Sequence, residues 1–93
     1  MTIARRLVVR GRVQGVGFRY AMADAAREAA VAGWVRNRMD GSVEGLVQGD
    51  APHVERIIAW CRRGPPAARV AGVEVADADV DLRLVDFVLR PTT

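Results

Sequence analysis

A segment of nine residues that is rich in glycine is the part of the chain best suited to chemistry. Residues 11–19 read GRVQGVGFR, with glycine at positions 11, 15 and 17. Because glycine permits positive φ, successive backbone N–H groups can turn toward one point there. The segment leads into a helical pattern, whose first N–H groups are unpaired and whose dipole favours an anion. The spacing is therefore suited to holding an anion such as phosphate.

Arg19 stands in or beside the first turn of that predicted helix. A cation at this end opposes the helix dipole and costs about 0.3–1 kcal/mol. The position makes sense if the guanidinium and the N–H groups hold a phosphate between them, because arginine binds phosphate through a planar fork. The alternative is a tight glycine turn followed by a solvated arginine, and the spacing by itself leaves both interpretations open.

Asn37 is the second residue that its surroundings do not explain. It falls in a predicted strand over residues 34–39, and asparagine is depleted in strand interiors. Its side-chain amide both donates and accepts hydrogen bonds, which suits it to hold a water molecule. The alternative is an asparagine at the end of a strand that satisfies the following turn.

Hydrophobic periodicity divides the chain into alternating strands and helices. The order is β-α-β-β-α-β with an extra short C-terminal strand. It predicts one domain over residues 1–93, an α+β sandwich of the ferredoxin-like type with two helices on one face of a mostly antiparallel sheet. The predicted elements are a strand 3–13, a loop 14–17, a helix from 19 to about 31 that Gly33 stops, strands 34–39 and 42–48 around Asp40-Gly41, a helix capped by Asp50 and ended by Gly64-Pro65-Pro66, a strand 70–75 and a short strand 87–89.

The composition excludes several classes of enzyme. The chain of 93 residues contains no lysine, so it is neither a P-loop nucleotidase nor a Schiff-base enzyme, since both need that amine. One histidine and one cysteine cannot form a zinc site of the usual kind. Asp77, Asp79 and Asp81 alternate as carboxylate ligands would, but a solvated turn is the preferred interpretation. We expect no metal and no cofactor.

The single cysteine, Cys61, rules out an internal disulfide and suits a reducing compartment. No apolar run approaches the roughly 18 residues of a membrane span, and residues 1–12 lack the features of a signal peptide. The net charge is only +3 and acidic residues are spread through the chain. We therefore expect a cytoplasmic protein and a monomer, with neither nucleic acid nor a membrane as partner.

The motifs described above resemble those of the acylphosphatase family. Residues 11–19 are similar to that family's first signature. Residues 33–37, GWVRN, continued by residues 40–44, DGSVE, are similar to its second. Gly64-Pro65-Pro66 and the closing Phe87 also match, so the resemblance covers nearly the whole chain.

The resemblance implies an enzyme that hydrolyses the carboxyl-phosphate bond of acyl phosphates to a carboxylate and inorganic phosphate. It implies that Arg19 pairs with the phosphoryl oxygens and that Asn37 orients the attacking water. Because a carboxylate departs without a proton, no general acid is required. The acyl group is expected to be held loosely. The implied phosphate-binding residues are Gln14, Gly15, Val16, Gly17, Phe18 and Arg19.

The chain departs from the family pattern at two places. Residues 29–31, AAV, lack the Leu-Gly-Leu that members often show, and Met39 stands where proline is common. Both are packing or turn positions, so we expect these departures to affect stability more than catalysis.

Other side chains are less suited to a catalytic role. His53 is expected to face solvent at the start of the second helix, and Cys61 to be a small core residue. Ser42 lies in the hairpin turn with no histidine predicted near it. Trp34 and Trp60 are better explained as core or sheet-face residues than as ligand platforms.

Three other functions are compatible with the predicted fold. RNA-recognition motifs share it but stack bases on aromatic residues of the central strands, whereas the strands here offer mainly valine. A carbamoyl-phosphate-handling domain similar to the N-terminal domain of hydrogenase-maturation carbamoyltransferases would belong to a long chain with zinc fingers, so we expect the stand-alone enzyme. An interaction protein with an inactive site is disfavoured, because Arg19 and Asn37 are both present.

Overall fold

Two helices cover one face of a five-stranded sheet in the computed structural model, which describes residues 1–93. The elements are β1 (Thr2–Arg12), α1 (Phe18–Glu28), β2 (Ala32–Asn37), β3 (Val43–Asp50), α2 (Ala51–Arg63), β4 (Arg69–Ala78) and β5 (Phe87–Leu89). The strand order is β4-β1-β3-β2-β5. All pairs are antiparallel except β2 with β5, which is parallel. The predicted α+β, ferredoxin-like fold is confirmed.

One hydrophobic core fills the space between the helices and the sheet. Phe18, Met22 and Ala26 follow one another at four-residue spacing in α1 and are buried. Burying a large apolar side chain of this kind stabilises the fold by about 1.5–3 kcal/mol. The core therefore anchors the first residue of α1, Phe18. The other helix and the strands contribute Val54, Ile57 and Cys61, and Leu7, Val9, Val35, Val43 and Val47.

The carboxyl ends of β1 and β2 lie at the same edge of the sheet. Both strands pair antiparallel with β3, which lies between them, so they run in the same direction. Neighbouring strands are about 4.7–4.9 Å apart, which places these two ends roughly 10 Å apart. The loop after β1 and the last residue of β2, Asn37, are thus within reach of one small ligand.

The end of α1 differs from the predicted one. The helix ends at Glu28, not near Val31, and Ala30 has a φ of 57°. The N–H of Val31 donates to the carbonyl of Ala26 at 2.9 Å, and the N–H of Ala30 donates to Arg27 at 3.2 Å. These two bonds form a Schellman motif, in which the left-handed residue is usually glycine. Ala30 therefore occupies the centre of the segment in which family members often carry Leu-Gly-Leu.

Gly33 does not stop α1, and that prediction was wrong. It lies inside β2 with a φ of 142°, and a β-carbon there would be 1.8 Å from the carbonyl oxygen of Leu46 in β3. Glycine is needed because the two strands approach each other too closely for a side chain. A glycine that follows a helical pattern is a common stop signal, which is why the sequence alone misassigns it.

The turn between β2 and β3 is longer than the Asp40-Gly41 signal predicts. β2 ends at Asn37 and β3 begins at Val43, so residues 38–42 form the turn. The Asp40 carboxylate accepts hydrogen bonds from the N–H of Ser42 at 2.9 Å and from its hydroxyl at 2.5 Å. This side-chain closure competes with a two-residue turn, which explains the extra length.

β4 is also longer than predicted, because it runs over residues 69–78 and not 70–75. It is an edge strand that pairs only with β1, and most of its residues are exposed. Residues 76–78, at the C-terminal end of β4, therefore show no alternation of buried apolar side chains from which a strand could be predicted.

α2 begins and ends where the sequence predicts. Asp50 occupies the N-cap position and Pro52 lies in the first turn, while Gly64 follows the last residue with a φ of 71°. Asp50 makes no side-chain capping hydrogen bond, and its carboxylate lies 3.8 Å from the amino group of Met1.

The face of the sheet away from the helices is occupied by its own charged side chains. Glu44, which is buried, accepts hydrogen bonds of 2.7 Å from Nε of Arg6 and of Arg36. Burial alone would raise the pKa of Glu44, but these two hydrogen bonds outweigh it and lower that pKa. The ring of Trp34 has the guanidinium groups of Arg36 and Arg90 each 4.8 Å from its centroid. These contacts join β1, β2 and β3, and Trp34 is the sheet-face residue that the sequence predicts.

The conformation of Ala30 gives a test of this description. A non-glycine residue in the left-handed region costs about 1–2 kcal/mol. Glycine removes this cost, but the greater conformational entropy of its unfolded chain offsets part of the gain in stability. We expect Ala30→Gly to raise the free energy of unfolding by about 0.5–1 kcal/mol in urea denaturation. Ala29→Gly is the matched control, because Ala29 is buried with a φ of −83°, and should be destabilising. A loss of stability in Ala30→Gly would contradict the assigned helix end.

Candidate active site

The loop between β1 and α1 is shaped by glycines at two positions. Gly15 and Gly17 have φ angles of 72° and 77°. A β-carbon at either would meet nothing within 4 Å, so the backbone conformation and not lack of space requires glycine. No other part of the protein fills the space beside these two glycines.

The N-terminus of α1 has backbone N–H groups without acceptors. The first hydrogen bond of the helix runs from the N–H of Ala21 to the carbonyl of Gly17 at 3.1 Å. The N–H groups of residues 18–20 therefore have no acceptor within the helix. No side chain caps this end, and the first turn contains no acidic residue. The positive end of the helix dipole is thus open to an anion.

A pocket of about 140 Å³ joins this loop, the first turn of α1 and the end of β2. It brings Arg19 and Asn37 together, although they lie on different elements. Among the predicted site residues only Val16 is missing from the lining, because its side chain packs against the core. Tyr20 lines the pocket and was missed by the sequence reasoning, although its place next to Arg19 in the first turn was a usable signal. The lining residues are Val13, Gln14, Gly15, Gly17, Phe18, Arg19, Tyr20 and Asn37.

The polar side chains of Arg19 and Asn37 form no hydrogen bond and no ion pair with the rest of the protein. Arg19 takes part in none of the ion pairs, whereas Arg38 at the same edge pairs with Asp40 at 3.8 Å. Asn37 is held through its backbone, which pairs with Val43 in β3 and accepts a hydrogen bond of 3.1 Å from the N–H of Thr93. The guanidinium and the amide are therefore available for an anion and a water molecule.

Gln14 connects the loop to the turn that follows Asn37. Its Nε2 donates hydrogen bonds of 2.8 Å to the carbonyl oxygens of Arg38 and Ser42. These bonds use both hydrogens of the amide nitrogen, so the side-chain donors of Gln14 do not point at an anion. The predicted contact between Gln14 and phosphate would therefore have to be made by its backbone N–H, and it stays a prediction. The side chain acts as a brace across the gap between β1 and β2.

The other nucleophile candidates lie in unsuitable surroundings. Burial raises the pKa of the Cys61 thiol to about 12, which keeps it protonated and unreactive. The Ser42 hydroxyl is buried and donates to Asp40. Both outcomes agree with the sequence analysis. Asp77 and Asp81 pair with Arg5 and Arg83, but Asp77 lies in β4 and not in the solvated turn that the sequence analysis preferred, because the strand runs on to Ala78.

Larger clefts lie elsewhere on the protein. One of about 650 Å³ runs between the two helices beside Trp60 and Pro65, and one of about 520 Å³ lies by Gln48 and Leu84. Neither contains unpaired helix N–H groups together with a free arginine. Its chemistry, and not its volume, identifies the smaller pocket as the candidate active site.

The comparison with protein families decides the assignment, because the family model described as Acylphosphatase matches residues 5–89. The chain belongs to the acylphosphatase family. An acylphosphatase of Acidiphilium cryptum is 59% identical over 71 residues, which are 76% of this chain and 78% of that protein. The crystal structure of an acylphosphatase from Bacillus subtilis matches with a TM-score of 0.90 and 34% identity, over 97% of this chain and 99% of that one.

A further structural match is to one segment of a longer protein. The crystal structure of full-length HypF in a phosphate- and nucleotide-bound form matches with a TM-score of 0.89 and 26% identity. The match covers 99% of this chain but only 12% of that protein. The acylphosphatase fold therefore also occurs as a small part of a much larger chain.

Membership in the acylphosphatase family at this level of identity makes the chain an acylphosphatase hydrolase that acts on small molecules, as the sequence predicted. Neither of its helices has the length and apolar character that crossing a bilayer demands.

The Gln14 brace is testable by comparison with an equivalent pair of bonds far from the pocket. Gln14→Met keeps the side-chain length and removes both donors. We expect it to lower the free energy of unfolding by about 1–3 kcal/mol and the turnover of benzoyl phosphate by about tenfold or more.

Gln48→Met is the matched control, because the Gln48 amide makes two bonds of 2.9 and 2.8 Å to the backbone of Asp81. It should lose similar stability and keep full turnover. Equal turnover in the two variants would show that the Gln14 bonds serve stability alone.

Proposed function

We propose that this chain is a metal-independent acylphosphatase, a cytoplasmic monomer of one domain spanning residues 1–93. It would cleave the carboxyl-phosphate bond of acyl phosphates. The observation that carries the proposal is the pocket in which the free N–H groups of α1, the Arg19 guanidinium and the Asn37 amide converge.

Phosphoryl binding is the first task of the site. The oxygens of the phosphoryl group accept hydrogen bonds from the N–H groups of loop 14–19 and from the fork of Arg19. These donors are fixed before substrate arrives, because the two Gln14 hydrogen bonds hold the loop at one end and the buried Phe18 ring holds it at the other. Donors fixed in this way stabilise developing negative charge without reorganising during the reaction. The positive charge comes from the chain itself, which supports a reaction without a metal.

Water is oriented by Asn37. Its amide lies at the end of β2 beside the phosphoryl site and accepts a hydrogen bond from the water while its NH₂ donates to a phosphoryl oxygen. The water oxygen forms the new bond to phosphorus as the bond from phosphorus to the acyl oxygen breaks. The electron pair of that bond leaves on the carboxylate, and one water proton passes to a phosphate oxygen. Positioning and charge stabilisation are the main requirements of phosphoryl transfer.

Carbamoyl phosphate is a second candidate substrate. Its phosphoryl group presents the same oxygens to the loop, and the fold also occurs as one segment of HypF, whose structure was determined in a phosphate- and nucleotide-bound form. Hydrolysis of carbamoyl phosphate more efficient than that of benzoyl phosphate would favour this alternative.

The test is hydrolysis of benzoyl phosphate, followed by ultraviolet absorbance in the presence of a chelator. Loss of an oxyanion-type donor typically lowers turnover by about 10²–10³-fold, so we expect losses of that size in Arg19→Ala and in Asn37→Ala. Arg19→Ala should also weaken inhibition by inorganic phosphate more than Asn37→Ala does, because it removes the charged fork, whereas Asn37→Ala removes a single neutral donor.

Arg56→Ala is the control for the loss of a positive charge, because Arg56 is exposed on α2 and does not line the pocket. It should retain full activity. An inactive but folded wild type would refute the acylphosphatase assignment, and active Arg19→Ala or Asn37→Ala variants would refute the assigned roles.

A further inference from the structure

We propose that Tyr20 determines which acyl phosphates are preferred, because its exposed ring is the surface on which the acyl group of the substrate lies. The proposal rests on the proposed function and deepens it. It predicts a preference for aromatic acyl groups over small aliphatic ones, although the sequence analysis expected the acyl group to be held only loosely.

The size of the pocket places the acyl group outside it. Pockets that enclose drug-sized ligands are about 300–1,000 Å³, whereas this one is about 140 Å³. That space suits a phosphoryl group and its attacking water. The acyl group must therefore extend through the opening and contact whatever surface lies at the rim.

Tyr20 provides the large apolar surface at that rim. The other aromatic residue in the first turn of α1 points elsewhere: Phe18 is buried in the core, where its ring packs edge-on against Trp60 at a centroid distance of 5.5 Å. Tyr20 also lines the pocket, but it is 68% exposed. The other apolar side chains of the lining, Val13 and Phe18, are buried. An acyl group leaving the pocket thus has one exposed ring available to it.

The geometry also relates the ring to the phosphoryl site. The guanidinium carbon of Arg19 lies 6.0 Å from the centroid of the Tyr20 ring, at the outer limit of a cation-π contact. The ring and the arginine proposed to bind phosphate therefore lie side by side at the same pocket. Aromatic rings favour offset or edge-on contact with a second ring, so a benzoyl group gains more from Tyr20 than an acetyl group does.

The experiment compares kcat/KM for benzoyl phosphate and acetyl phosphate within each variant, so that errors in active-protein concentration cancel. Tyr20→Ala should lower the value for benzoyl phosphate by about 3–10-fold and change the value for acetyl phosphate by less than about twofold. Tyr20→Phe keeps the ring and should keep the wild-type ratio. Leu82→Ala removes an 89% exposed apolar side chain that does not line the pocket and should also leave the ratio unchanged.

The two substrates separate this proposal from its alternatives. An equal loss for both in Tyr20→Ala would show that the ring acts by holding Arg19, and an unchanged ratio with full activity would show a solvated tyrosine. Either result overturns the proposal while leaving the proposed function intact. A wild type that hydrolyses neither substrate would instead refute the proposed function.

Discussion

The unpaired N–H groups at the start of α1 are the constraint on which the rest of the structure depends. A helix end without a cap is unfavourable unless water or a ligand satisfies its donors. Here the chain supplies no capping side chain and no acidic residue in the first turn. Arg19 adds a positive charge where the helix dipole is already positive. These features lower the stability of the N-terminus of α1, and a bound anion would raise it again.

Holding such an end in place requires anchors on both sides. On the helix side the buried ring of Phe18 fixes the first residue of α1 in the core. On the strand side Gln14 ties the loop to the turn after β2 through two bonds of 2.8 Å. The sheet makes this connection possible, because β3 separates two strands that end at the same edge. The glycine-rich loop and the end of β2 that carries Asn37 are therefore tied to each other.

Much of this arrangement could be predicted from the sequence, because its signals are local. Glycine spacing predicts the loop, and periodicity predicts both helices and the order of the helices and strands along the chain. The position of Asn37 stood out because asparagine is unusual in a strand. The end of α1 was misassigned because the left-handed residue is Ala30, which carries no glycine signal, while Gly33 serves contact with β3.

The features that sequence reasoning missed depend on tertiary contacts. The bonds of Gln14 join residues that are distant in the chain and meet only when β1 and β2 lie at one edge. The exposure of Tyr20 follows from the orientation of α1, which buries Phe18 and turns the next aromatic ring outward. The Gln14 bonds have no local signal in the sequence, whereas the place of Tyr20 next to Arg19 in the first turn was a usable one.

The central claim is that backbone N–H groups of the loop and Arg19 bind the phosphoryl group together. Titration of the ¹⁵N-labelled protein with inorganic phosphate tests it directly, because each amide reports on its own surroundings. The account predicts saturable shifts concentrated at the amides of residues 15–20 and at the side chains of Arg19 and Asn37. Shifts centred on Arg62 and Arg63 at the end of α2, with the loop amides unchanged, would contradict it.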